Sequence, residues 1–199
     1  LYPEPADDIQ DTLLLTPRPD VLVVFLESFG SRFVKELGGL PDVALGWSRL
    51  IPEGIFWQNF YSNSFRTDRG TVSAFSGWTS YPDVGLMKQT KFHAALPSLA
   101  RSLEREGYET AYLYGGAMTN MGKQQYLEDM GFRLLYDDKA LRTLFSSSLN
   151  EENPAAREAS PSGEESEGSW GIYDSISCQK AVELIGRWQG GRHFMVVQT

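Results

Sequence analysis

The feature that most constrains the fold is a run of six apolar residues that ends abruptly in a carboxylate. Residues 21–26 read Val-Leu-Val-Val-Phe-Leu, and Glu27 and Ser28 follow directly. A short apolar run rich in β-branched residues is typical of a strand buried on both faces of a parallel sheet. A carboxylate placed after such a strand lies at its carboxyl end, where open α/β sheets bind their ligands. The run therefore predicts a central strand with Glu27 at the ligand-binding edge.

Strand-like and helix-like segments alternate along the rest of the chain. This alternation predicts an α/β fold with three layers, α/β/α, around a mostly parallel central sheet. Further strands are expected at 55–61, 110–114, 132–136 and 193–197, and helices at 28–37, 43–51, 67–75, 97–107, 124–130 and 172–188. Residues 1–18 are expected to form an extended leader. Because the last strand ends the sequence, residues 19–199 are expected to be the front part of a larger, C-terminally truncated domain.

Composition excludes several classes of protein. The formal charge of −8 provides no basic face for nucleic acid. Much of that charge lies in a Ser-, Glu- and Pro-rich stretch at about 146–169, which we expect to be a mobile acidic insertion. No apolar run is long enough to span a membrane. A single cysteine, Cys178, excludes an intrachain disulfide.

A second stretch places one hydroxyl, Thr67, among charged residues at the expected start of a helix. Threonine needs a base or a metal to act as a nucleophile, and no histidine is near in the sequence. We therefore expect Glu27 and Thr67 to bind a divalent metal, with Mn²⁺ or Mg²⁺ favoured by two oxygen ligands. Arg66 and Arg69 are candidates to bind phosphate oxygens. The alternatives are a helix cap at Thr67 and Asp68 with solvated arginines, and a simple ion pair between Glu27 and Arg66.

Taken together, these stretches resemble a known family. The matching text is PDVLVVFLESFG, NFYSNSFRTDRGT, LPSLARSLEREGYETAYLYGG, YLEDMGF, WGIYD and HFMVVQT. It resembles the sulfatase-like branch of the alkaline phosphatase superfamily, and most closely the lipoteichoic acid synthases and phosphoglycerol transferases of bacteria. In that resemblance Glu27 matches the first metal carboxylate and Thr67 the catalytic threonine. A formylglycine-type sulfatase is not expected, because Cys-x-Pro-x-Arg is absent at the Thr67 position.

The resemblance implies an alkaline phosphatase-like fold and a metal-dependent transferase or hydrolase of phosphate or sulfate esters. The reaction would transfer a phosphoglycerol-type head group from a phospholipid or phosphorylated glycan through a covalent threonine intermediate. It also implies an extracytoplasmic domain in the cell envelope, tethered to the cell membrane by segments outside this chain. The family completes its metal site with an Asp-His pair further along and a later histidine, which would also permit Zn²⁺. We therefore expect residues 1–199 alone to be inactive, and the alternative is a catalytically incomplete module that serves binding or assembly.

Other residues carry weaker expectations. The loop after Tyr-Gly-Gly contains Asn120 and Lys123, which are candidate substrate-binding residues, although a solvated lysine is the alternative. Trp170 either approaches the pocket or packs in the core. His93 is expected at the surface, and His193, at the start of a strand, is expected to be structural.

Overall fold

The computed structural model describes residues 16–62, 64–79, 81, 83–151, 167–168 and 171–199. Six strands are present in these ranges: β1 Val21–Phe25, β2 Glu109–Tyr114, β3 Leu134–Tyr136, β4 Glu167–Gly168, β5 Gly171–Ile172 and β6 His193–Gln198. The helices of the same ranges are α1 Leu45–Leu50, α2 Thr67–Ser76, α3 Thr90–His93, α4 Leu99–Arg105, α5 Lys123–Asp129, α6 Asp138–Glu151 and α7 Asp174–Ile185. Short 3₁₀ turns connect several of them.

The central sheet has four parallel strands in the order β1-β6-β2-β3. In the register of the sheet, Gln198 at the end of β6 lies between Phe25 on β1 and Tyr114 on β2. The carboxyl ends of these three strands therefore meet at one edge. Strands β4 and β5 form a separate antiparallel pair. The predicted α/β class with a parallel sheet is confirmed.

Helices lie on both faces of the sheet, which gives the three expected layers, and among the described residues one face of β1 stays exposed. One core joins α2, α4 and α5 to the sheet through Phe75, Ala100, Tyr126 and the strand residue Tyr112. The other joins α6 and α7 to the opposite face, through residues that include Leu141 and Ala181. Apolar burial on both faces is what stabilises a parallel sheet of this kind. Among the described residues, no helix is both long enough and apolar enough to span a bilayer.

Several sequence predictions about elements are wrong. Residues 55–61 form no strand and are largely exposed, and no strand in the described part of the chain pairs with their backbone. The helix expected at 28–37 is replaced by 3₁₀ turns at Ser31–Phe33 and Lys35–Leu37. The fourth helix begins after Ser98, whose side chain caps it, and not at Pro97. Helix α6 continues to Glu151 and so overlaps the acidic insertion expected at about 146–169, most of which lies outside the described residues, and its mobility stays a prediction.

His93 is also placed differently from expectation. It is buried rather than exposed, with only 1% of its surface accessible. Its Nδ1 lies 2.7 Å from Asp129 Oδ2 and its Nε2 lies 3.1 Å from the carbonyl oxygen of Leu86. Because each ring nitrogen has a polar partner, the buried ring leaves no nitrogen unpaired. The side chain thereby ties α3 to α5. His193 contacts Asp20 through Nδ1 at 2.8 Å, in keeping with a structural role.

Candidate active site

Glu27 and Thr67 meet at the carboxyl edge of the sheet. Glu27 follows β1 by two residues, and Thr67 opens α2. The hydroxyl of Thr67 donates a hydrogen bond to Glu27 Oε1. The backbone amide of Glu27 donates to Thr199 Oγ1 at 3.1 Å, which fixes the chain just after β1 to the chain just after β6. The two residues that the sequence singles out for a metal site are therefore neighbours in space.

The first turn of α2 leaves the Thr67 hydroxyl free of a capping role. Arg66 is the N-cap residue, and no side chain caps the helix. Arg66 Nε donates to Asp68 Oδ1 at 3.2 Å, and Asp68 is buried. Since Arg66 pairs with Asp68, the expected alternative of a Glu27–Arg66 pair does not occur, and neither does a cap at Thr67. The hydroxyl of Thr67 and the first turn of the helix both face the carboxylate.

Two clefts flank Glu27. One, of about 340 Å³, contains Glu27, Arg66 and Thr67 among its lining residues. The other, of about 510 Å³, is lined by Tyr114, Asp174 and the backbone of Gly115 and Gly116. Glu27 and Ser28 line both clefts. The carboxylate therefore stands on the ridge between two openings, where a molecule larger than a phosphate has room on either side.

Behind the carboxylate lies a buried polar cluster that the sequence did not reveal. Gln198 is fully buried, and its Nε2 donates to Glu27 Oε2 at 3.3 Å. Its Oε1 accepts hydrogen bonds from Lys123 Nζ at 2.7 Å and from the Tyr112 hydroxyl at 2.5 Å. A glutamine that ends an otherwise apolar strand, in register with the strand that leads to Glu27, was the signal that could have identified it.

Lys123 is therefore not the solvated lysine that we considered as an alternative. It is 6% exposed, and its Nζ lies 3.5 Å from the centre of the Tyr114 ring. Burial lowers the pKa of Lys123 to about 8, while the negative charge of Glu27 acts in the opposite direction. Burial and the same negative charge raise the pKa of Tyr114. The Lys123 ammonium, bonded to the neutral amide of Gln198, thus lies close to the Glu27 carboxylate on its buried side.

The remaining candidate residues are not brought into the cluster. Arg69 lines a separate small cavity with Trp78, and its guanidinium lies 5.9 Å from the centre of the Phe65 ring. Asn120 is exposed at the start of the 3₁₀ turn that leads to Lys123. Trp170 lies outside the described residues. Of the substrate-binding candidates that the structure describes, Arg66 and Lys123 are therefore the two positioned near Glu27 and Thr67.

The oxygen atoms that meet at this edge are of the chemical types that bind a hard divalent cation. A carboxylate and a hydroxyl are the ligand types that Mg²⁺ and Mn²⁺ take in proteins, and no thiolate lies among the contacts of Glu27. Within the described ranges, no group of three or more His, Cys, Asp or Glu side chains is assembled. In this part of the chain, Glu27 and Thr67 are thus the residues that would hold the ion.

Comparison with known proteins gives three findings. The protein-family model described as Sulfatase matches residues 19–199. The crystal structure of a protein in the alkaline phosphatase superfamily from Vibrio parahaemolyticus is 26% identical and has a TM-score of 0.75, covering 92% of this chain and 40% of that one. The crystal structure of the lipoteichoic acid synthase LtaP from Listeria monocytogenes is 15% identical and has a TM-score of 0.70, covering 90% of this chain and 40% of that one. The chain therefore spans about two fifths of the length of each of these structures.

Proposed function

Because this chain belongs to the sulfatase family, with structural neighbours in the alkaline phosphatase superfamily, we propose that it carries the nucleophile of a metal-dependent phosphodiester transferase or hydrolase. The observation that carries this proposal is the contact between the Thr67 hydroxyl and Glu27 Oε1 at the carboxyl edge of the sheet. Sulfatases and alkaline phosphatases generally depend on divalent metals. Here Mn²⁺ is the ion that we propose, with Mg²⁺ and Zn²⁺ as substitutes.

The Thr67 hydroxyl is the group that reacts. A divalent cation held by Glu27 and Thr67 would supply Lewis-acid stabilisation of the threonine oxygen in its ionised form. Thr67 Oγ1 attacks the phosphorus, a new Oγ1–P bond forms, and the bond from phosphorus to the leaving alcohol breaks. The hydroxyl gives up one proton and the leaving alcohol takes up one. An acceptor alcohol or water then attacks the threonine ester, gives up its own proton, and restores the Thr67 hydroxyl.

We propose that two cations help to bind the phosphate. Arg66 lies in the cleft beside Thr67, held in orientation by Asp68, and its guanidinium offers several parallel donors to phosphate oxygens. Lys123 is buried behind Glu27, where the Gln198 oxygen accepts its hydrogen bond, and it adds positive charge next to the carboxylate. Fixed donors of this kind stabilise the charge that develops in the transition state of phosphoryl transfer.

The substrate that we propose is a phosphoglycerol-type head group, carried by a phospholipid or a phosphorylated glycan. The support is the resemblance of the LES and RTDRG motifs to phosphoglycerol transferases, together with a lipoteichoic acid synthase among the structures that share the fold. The same resemblance implies a reaction outside the cytoplasm, at the cell membrane. We therefore propose an extracytoplasmic location, with attachment through segments outside these residues.

The test uses the full-length protein, Mn²⁺ and vesicles that contain phosphatidylglycerol with a labelled head group. We expect Thr67→Ala to lower head-group release at least a thousandfold, because the nucleophile is lost, and Thr67→Ser to retain measurable release. Mass spectrometry of the wild-type protein during turnover should find one glycerophosphoryl group on the peptide that contains Thr67. The matched control is Thr143→Ala, because the Thr143 hydroxyl is exposed on α6 and bonds only within its own helix.

Two results would contradict the proposal. Release that survives Thr67→Ala would exclude this residue as the nucleophile. A wild-type protein that folds, binds no Mn²⁺ and releases no head group would instead favour the non-catalytic module, with the fold kept for binding or assembly.

A further inference from the structure

Gln198 connects the two halves of the proposed site. It contacts three side chains from three different parts of the fold: Tyr112 on β2, Lys123 on α5, and Glu27 beyond β1. It is 0% exposed, so its contacts with Tyr112 and Lys123 are made away from bulk water, whereas its partner Glu27 is exposed. Buried amides are held strictly by their hydrogen-bond partners, because an unpaired polar atom is costly there.

The partners determine which way the amide faces. A lysine ammonium can only donate, so the atom of Gln198 that lies 2.7 Å from Lys123 Nζ has to be the carbonyl oxygen. The amide nitrogen must then face Glu27, whose ionised carboxylate can only accept. The hydrogen bond to Glu27 therefore runs in one direction, from Gln198 to Glu27 Oε2. With Oε2 held from behind, Oε1 is the oxygen that faces Thr67.

We propose that Gln198 is a positioning residue that orients the Glu27 carboxylate toward Thr67 and the metal, and that fixes Lys123 at a set separation from that carboxylate. This inference rests on the proposed function. Glu27 is itself exposed at the tip of a strand, so packing alone does not restrain its side chain. The donor from Gln198 supplies that restraint, in the way that residues behind metal ligands commonly orient them. The same amide accepts the hydrogen bond of the buried Lys123 ammonium, and so holds that positive charge close to the Glu27 carboxylate.

The experiment measures Mn²⁺ affinity of the full-length protein, from the electron paramagnetic resonance signal of free Mn²⁺ or by calorimetry, without substrate. Gln198→Met keeps the length of the side chain and removes the donor. We expect it to weaken Mn²⁺ binding about tenfold, within the range found for residues behind metal ligands. Gln198→Met also leaves the Lys123 ammonium buried without an acceptor, which could unfold the protein. A second comparison avoids this problem, because both of its variants lack the ammonium: Lys123→Met, and the double variant Lys123→Met with Gln198→Met. The double variant should bind Mn²⁺ about tenfold more weakly than Lys123→Met alone.

Tyr112→Phe is the control for a merely structural role. Tyr112 is as buried as Gln198 and bonds to the same oxygen, but it does not touch Glu27. We expect Tyr112→Phe to lower the melting temperature while the Mn²⁺ dissociation constant stays within twofold of wild type. Gln198→Met should move both quantities.

The outcomes separate this inference from the proposed function. Equal Mn²⁺ affinity in Lys123→Met and the double variant would overturn the role of Gln198 and leave the proposed function standing. Parallel losses of stability and Mn²⁺ affinity in Tyr112→Phe would also overturn it, because the effect would then come from the core. A wild-type protein that binds none of Mn²⁺, Mg²⁺ and Zn²⁺ would overturn both.

Discussion

At the scale of single residues, the most unusual group is the buried cation Lys123. Its ammonium contacts the neutral oxygen of Gln198 and the face of the Tyr114 ring. Burial disfavours the charged form, and it lowers the pKa of Lys123 from 10.5 to about 8. The charged form of this buried lysine therefore lowers the free energy of unfolding, by an amount that depends on pH.

That dependence has a definite sign. Because the pKa of Lys123 is lower in the folded protein, the unfolded chain holds more protons between about pH 8 and pH 10.5, and this group makes the fold more stable as the pH rises through that window. We expect wild type to gain up to about 1.4 kcal/mol per pH unit relative to Lys123→Met in urea unfolding. Lys139→Met, which removes an exposed lysine on α6, should keep the wild-type slope. If the free energy of unfolding changes with pH in the same way for wild type and Lys123→Met, the lowered pKa of Lys123 is contradicted.

The sequence revealed Glu27 and Thr67 because each stands at a boundary that local pattern marks: an apolar run that ends in an acid, and a hydroxyl at the start of a helix. It did not reveal Gln198 or the burial of His93 and Lys123. Their partners lie far along the chain, such as Glu27 for Gln198 and Asp129 for His93. Local pattern assigns polar residues to the surface by default, and only the packed fold shows which of them have buried partners.

At the scale of elements, β5 and the loop after β2 pack backbone against backbone beneath the larger cleft. The amide of Ile172 donates to the carbonyl of Gly115 at 2.8 Å. A Cβ on Gly171 would come within 2.2 Å of the Gly115 oxygen and 2.9 Å of Gly116 Cα, and the φ of Gly171 is +143°. Glycine is required there, both for its conformation and for the close approach. Local sequence pattern does not show this requirement, because the approach involves two segments distant in the chain.

Gly171→Ala should therefore separate β5 from that loop. We expect a loss of about 1–3 kcal/mol in the free energy of unfolding, from backbone strain and from the steric clash with Gly115. Gly46→Ala is the matched control. Gly46 lies inside α1 with nothing within 4 Å of its added Cβ, so alanine should stabilise that helix by about 0.5–1 kcal/mol. Denaturant unfolding of both variants measures the two effects, and a stability of Gly171→Ala equal to wild type would exclude the close packing.

At the scale of the whole molecule, the two faces of β1 differ. On one face, Val21 and Val23 pack against the core. On the other, Leu22 is 46% exposed and Val24 is 50% exposed. Among the described residues, β1 pairs on one side only, with β6. An edge strand with exposed apolar side chains is prone to associate with another chain, and the continuous apolar run in the sequence had predicted burial on both faces.

Val23 and Val24 lie on opposite faces of β1, so the same substitution at each tests whether the outer face of the strand is exposed in solution. In the 199-residue chain we expect Val23→Thr to lower the free energy of unfolding by about 1–2 kcal/mol, because a hydroxyl enters the apolar core without a partner. Val24→Thr should change it by less than about 0.5 kcal/mol, since the side chain is already in contact with water. It should also reduce concentration-dependent association, as measured by sedimentation. Equal losses of stability in the two variants would mean that the outer face of β1 is covered in solution, and that the carboxyl edge with Glu27 and Thr67 adjoins a packed surface rather than an open one.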